Sequence, residues 1–134
     1  MAENLSIFDI SGRAMAAQLV RLNTTASNLA NVGTVSGSES TAFRSMKPVF
    51  RTVMGEAGKA TVQVDRIDNS KSAPVKRYEH DHPLADKDGN VWEAAVDSAA
   101  EMVEMLETSR QYQNNVQVLA TAKGLISETL RLGQ

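Results

Sequence analysis

Apolar positions recur every seven residues near the start of the chain, at Phe8, Met15, Leu22 and Leu29, with Gly12, Leu19 and Ala26 between them. The four-three spacing is that of a coiled-coil seam rather than the broad apolar stripe of a globular helix. It predicts a helix over about residues 6–31. Ser6 and Asp9 have the spacing of a capping box, with Asp in place of Glu, and mark its start. The same segment is loaded with poor helix formers (Asn23, Thr24, Thr25, Ser27, Asn28 and Asn31), so the helix needs a partner to hold it. A second seam runs through Met102, Met105, Ser109, Tyr112, Val116, Leu119, Lys123, Ile126 and Leu130, predicting a helix over 98–132. Asp97 or Ser98 is placed to cap it, and Ser98 with Glu101 has capping-box spacing. At 1.5 Å per residue this helix is about 50 Å long, against a small-domain diameter of about 30 Å, so it must project beyond the core.

Between the helices the pattern changes. Residues 33–41, Gly-Thr-Val-Ser-Gly-Ser-Glu-Ser-Thr, have the composition of a flexible linker. From Ala42 to Trp92, short β-like runs (Val49-Phe50, Val62–Ile67 with its alternation, Val75–Tyr78) are punctuated by Gly55, Gly58, Pro74, Pro83 and Asp88-Gly89. These predict an antiparallel unit of three or four strands, too small to bury much core alone. The fold expected is α+β: long N- and C-terminal helices packing as a coiled coil, with a small antiparallel β insert. Its segments are 1–32 (N-terminal helix), 33–95 (linker and β-rich middle) and 96–134 (C-terminal helix). The two helices cover each other only in part, and the middle cannot cover the rest. Long apolar seams at both ends predict a subunit that assembles.

Composition narrows the function. The 134 residues carry 14 Lys+Arg and 16 Asp+Glu, a net charge of −2, which argues against a nucleic-acid partner held through phosphates. There is no cysteine, hence no disulfide and no thiolate metal site. No apolar run reaches the roughly 18–20 residues of a membrane span. Met1-Ala2-Glu3-Asn4 is no cationic n-region, so a cleaved secretory signal is not expected. The aromatics are only Phe8, Phe43, Phe50, Tyr78, Trp92 and Tyr112, so Ala, Val, Leu and Met carry the apolar content, which suits a helical seam better than an enzyme interior.

Candidate chemistry is thin. His80-Asp81-His82 has metal-ligand residue types, but i,i+2 histidines on extended backbone point to opposite sides, and no further His or Cys completes a tetrahedron. Asp86–Val91 looks like part of a calcium loop, yet placing Gly89 sixth puts Leu84 first and Ala95 twelfth, where carboxylates belong. A turn with Gly89 or Asn90 at positive φ is the better reading. There is no Gly-x-Ser-x-Gly elbow and no phosphate-cradling loop. Arg110 and Lys123, beside or within the second seam, are read as packing stems or interchain partners. No catalytic residue, cofactor or metal is expected.

Two stretches carry a resemblance. Ala14–Asn23 leading into Ala26-Ser27-Asn28-Leu29-Ala30-Asn31-Val32 resembles the N-terminal signature of the bacterial flagellar rod and hook axial proteins. Val96-Asp97, Glu101-Met102-Val103 and Arg110-Gln111-Tyr112-Gln113-Asn114-Asn115-Val116, with Leu132-Gly133 at the end, are similar to that family's C-terminal signature. Ile7–Gly12 and the region from Tyr78 through His82–Asp86 to Gly89-Asn90-Val91 resemble its proximal-rod members. Asn114 departs from the usual Ala after Tyr-Gln, and Ala94-Ala95 from the usual Pro-Asn. The resemblance implies a non-catalytic structural subunit of the flagellar basal-body rod. Its terminal helices would polymerise into a helical drive shaft carrying torque from motor to hook. Partners would be copies of itself, other rod subunits, the flagellar type III export apparatus, and the motor base and surrounding rings, with no nucleic acid and no small-molecule substrate. The location implied is the basal body across the periplasm, reached by export without a cleaved signal. The assembly interface expected from seam and resemblance together is Phe8, Met15, Leu19, Leu22, Asn28, Leu29, Asn31, Met102, Met105, Arg110, Tyr112, Gln113, Val116, Leu119, Ile126 and Leu130, with amides such as Asn23, Asn28, Asn31, Gln113 and Asn115 bonding between subunits to set register.

Two other readings stay open at the level of residues. A cytoplasmic coiled-coil adaptor or chaperone shares the periodicity, but would favour Glu, Lys and Leu where this chain has Asn and Thr. A small metal-dependent enzyme would centre on His80, Asp81 and His82, and metal analysis of the purified protein discriminates it.

Overall fold

The computed structural model describes residues 6–134. Helix α1 spans Ile7–Ala30 and helix α2 spans Ser98–Leu132, with a β-rich segment between them. The architecture is the α+β arrangement expected. Ser6 caps α1 with a complete box: its hydroxyl accepts from Asp9 N–H at 3.1 Å, and its own N–H donates to Asp9 Oδ2 at 2.9 Å. Asp97, not Ser98, is the cap of α2, accepting from Ala100 N–H at 3.1 Å.

Among the described residues five strands form two antiparallel sheets. Strands β2 (Met46–Met54) and β3 (Ala60–Asn69) make a long hairpin, closed by a turn of 3-10 helix at Glu56–Gly58 and bulged between Val49 and Phe50. Strands β1 (Val35–Ser36), β4 (Val75–Tyr78) and β5 (Asn90–Glu93) form the second sheet with β5 in the middle. The β-like runs of the sequence fall in β3, β4 and part of β2, while β1 and β5 lie outside them. Residues 33–41, a flexible linker by composition, instead contain β1 and a knot of hydroxyls. Ser38 Oγ lies 2.7 Å from Thr41 Oγ1, which also bonds Ser36. Short polar side chains there bond locally to one another and to the backbone, holding a stretch that composition alone marks as loose.

Three packing layers result. The hairpin lies on one side of α1, and α2 lies on another. Gln18 Nε2 donates to Gln111 Oε1 at 2.9 Å and Arg21 pairs with Glu104, so a later residue of α1 meets an earlier residue of α2 and the helices run antiparallel. Asn28 joins α1 to the hairpin: its side-chain amide donates to Met46 C=O at 2.9 Å and accepts from Met46 N–H at 2.8 Å. In the second sheet Val91 is fully buried at the centre of β5. Among the described residues Ala17, Ala42, Val91 and Ala94 are the buried apolar side chains, so only one is larger than a methyl group. The accessible surface is 9091 Å². A compact monomer of this mass would expose about 6,900 Å², so the chain carries roughly a third more surface than its size requires.

Candidate functional site: the apolar faces of the two long helices

The rows turned inward are more polar than the periodicity suggests. On α1 the buried or half-buried positions Ser11, Met15, Gln18, Leu22, Thr25 and Leu29 make one four-three row. It shares Met15, Leu22 and Leu29 with the expected seam but replaces Gly12, Leu19 and Ala26 by Ser11, Gln18 and Thr25. On α2 the inward row is Glu101, Met105, Thr108, Tyr112, Asn115, Leu119 and Ala122. Met105, Tyr112 and Leu119 are common to both rows. Thr108, wholly buried, turns its hydroxyl back onto Glu104 C=O at 2.7 Å, which satisfies it inside its own helix.

What the inward rows leave outside is apolar. On α1 Phe8 and Leu19 are exposed. On α2 Met102, Val103, Leu106, Val116, Val118, Leu125, Ile126, Leu130 and Leu132 are all exposed, Leu106 at 70%. From Lys123 onward every residue of α2 is exposed, a projection of about 15 Å beyond Ala122. Scattered surface leucines need no explanation, but a helix whose large side chains mostly face water marks an interaction surface.

The remaining expected interface residues fall into three settings. Arg110 and Gln113 are exposed on α2. Asn31 is half-buried and donates to Ser27 C=O at 2.9 Å within its own turn. Asn28 is 1% exposed and commits its amide to Met46, so its part in any register is exerted through the hairpin it anchors.

The histidine pair has local partners. His82 Nδ1 accepts from Leu84 N–H at 3.1 Å, and His80 Nε2 lies 2.9 Å from Asp81. Gly89 takes φ +79°, as the turn reading requires, while Asp86 Oδ1 accepts from the N–H groups of Asp88 and Asn90, each at 2.9 Å. A Cβ on Gly89 would stand 2.8 Å from Tyr78 Cε2, so the ring of Tyr78 closes over a place only glycine fits. Among the described residues no three His, Asp or Glu side chains converge as metal ligands, and no helix is long and apolar enough to cross a membrane.

A cleft of about 470 Å³ opens between the C-terminal half of α1, the start of β2 and the first turns of α2. The sequence reading did not find it, because it draws on three segments far apart in the chain.

Residues 8–36 match the family described as flagella basal body rod protein, and residues 87–132 match the C-terminal family of the flagellar basal body rod FlgEFG proteins. Over 132 residues the chain is 44% identical to the flagellar basal-body rod protein FlgC of Salmonella typhimurium, covering 97% of this chain and 98% of the relative. It is 42% identical to the FlgC of Yersinia enterocolitica at the same coverage, and 31% identical to that of Aquifex aeolicus over 96% of each.

Proposed function

The chain belongs to the FlgC family of flagellar basal-body rod proteins, and we propose that it polymerises through its two terminal helices into the drive shaft between motor and hook. As a member of that family it is a structural component of the basal body, assembled with other rod subunits and without catalysis. In this reading residues 1–32 and 96–134 make the axial core and residues 33–95 sit outside it. The faces carrying Phe8, Leu19, Met102, Val116, Ile126 and Leu130 meet neighbouring subunits. Heterologous contacts that do not close are the geometry that builds a helical tube.

One observation supports this most: the apolar side chains of α2 are largely exposed while its inward row is mixed and polar. Burial of the outward faces is then supplied by other subunits, at about 25 cal/mol per Å² of apolar surface removed from water. Export through the flagellar type III apparatus as an unfolded chain, and a place across the periplasm, complete the reading. A chain with little core of its own and no disulfide is suited to threading through a channel and ordering at its destination.

Leu106→Asp tests it. Leu106 is exposed in the free chain, so the substitution leaves monomer helicity and solubility unchanged, but it places a carboxylate in the proposed interface. Cells relying on this variant are expected to be non-motile, with the chain missing from isolated basal bodies. Normal swimming would contradict the assignment of that face.

A further inference from the structure

The cleft between α1, β2 and α2 is lined by Arg21, Thr24, Thr25, Met46, Pro48 and Phe50, with Lys47, Ala100, Glu101 and Glu104 completing it. Its charges are unevenly matched. Arg21 is paired with Glu104. Glu101 is only 8% exposed, and among the described residues its carboxylate has no hydrogen-bond or ion-pair partner. Lys47, on the exposed start of β2, makes no ion pair with it. At the open cleft, with no donor from the described residues, that carboxylate can take a charge-assisted hydrogen bond from outside. Glu101 stands in the first turn of α2, where the helix dipole favours negative charge, and its own N–H is already bonded to Asp97 C=O.

Thirty residues along the same helix, about 45 Å away, the other end of α2 carries the complement. Residues 123–132 are all exposed, with none of the described residues covering them, and present Ile126, Leu130 and Arg131, with Glu128 one turn behind the arginine. We propose that this projecting end of a second copy seats in the cleft, its Ile126 and Leu130 against Met46, Pro48 and Phe50 and its Arg131 on Glu101. The guanidinium supplies the donors Glu101 lacks, in the planar geometry suited to a carboxylate. The approach sets the C-terminal end of one α2 against the N-terminal end of the next, so the helix dipoles align head to tail. Because cleft and projecting end are different surfaces at opposite ends of the molecule, the contact repeats without closing. The proposal rests on the rod reading and specifies one of its axial contacts.

The cysteine-free chain allows a direct test in purified full-length protein. One population carries Lys47→Cys at the cleft, a second carries Leu130→Cys at the projecting end, and the two are mixed under mild oxidation. The mixed disulfide is expected to dominate over either self-pairing. Glu101→Gln in the first population should lower its yield about tenfold, the scale of a lost charge-assisted hydrogen bond. Arg131→Ala in the second should do the same, and because Arg131 is exposed this variant leaves the fold intact. Glu101→Arg combined with Arg131→Glu should restore the yield. Self-pairing as efficient as the mixed product, or a yield indifferent to Arg131→Ala, overturns the docking. The rod reading is scored separately, by the presence of the wild-type chain in isolated basal bodies, so the two fail independently.

Discussion

At the scale of single residues, small polar side chains do work that a larger core would otherwise do. Asn28 uses both halves of its amide on Met46, and where Val91 is the only buried apolar side chain larger than alanine among the described residues, this anchor fixes the hairpin to α1. Asn28→Ala leaves the Met46 N–H and C=O without these partners, at about 1–3 kcal/mol. Hydrogen exchange at the Met46 amide is expected to accelerate at least about tenfold, and an unchanged rate would remove Asn28 from this role. The capping box of α1 responds to pH. The Ser6 hydroxyl, and after it the Ser6 N–H, holds the Asp9 carboxyl below its ordinary range. With the folded value depressed, the box stabilises the first turn above the unfolded Asp value of 3.8 and loses that contribution as pH falls through the lower folded value. An NMR titration following the Ser6 amide should report its loss only in that acidic window; loss near neutrality would contradict the assignment.

At the scale of elements, the two helices differ in how much of each the chain itself uses. Every residue beyond Ala122 is exposed, so a chain ending at Ala122 should keep the Gln18–Gln111 and Arg21–Glu104 contacts. It should lose far-ultraviolet helical signal only in proportion to the residues removed, and fail to enter rods. Incorporation of the truncated chain would show the projection to be dispensable. Helix extents were legible in the sequence because their signals are local: Ser6 with Asp9, Asp97 before the first turn, and periodicity to Leu132. Which row faces inward was not. On α1 two rows share Met15, Leu22 and Leu29, and the apolar companions Gly12 and Leu19 lose to Ser11 and Gln18, because Gln18 has a hydrogen-bond partner across the seam in Gln111. Hydrophobicity ranks the rows by what water disfavours, and cannot register a long-range partner. Strands β1 and β5 escape a local reading for a related reason. β1 has only two residues, and its pairing with β5 spans more than fifty residues of chain.

For the whole molecule, surface and core tell the same story. An accessible area of 9091 Å² against a core that, among the described residues, is three alanines and one valine leaves little hydrophobic stabilisation to oppose the entropy of ordering the chain. The structure described is in this account the arrangement that neighbours complete, with α1 and α2 weakly held until their outer faces are covered. Coupling of order to polymerisation lets a subunit travel unfolded and stiffen only in place. The most direct test is amide hydrogen exchange on the free chain and on the same chain within isolated basal bodies. In the free chain α1 and α2 are expected to be only weakly protected, well below the β-rich segment around Val91, and both helices strongly protected after assembly. Helices as well protected in the free monomer as in the rod would contradict it.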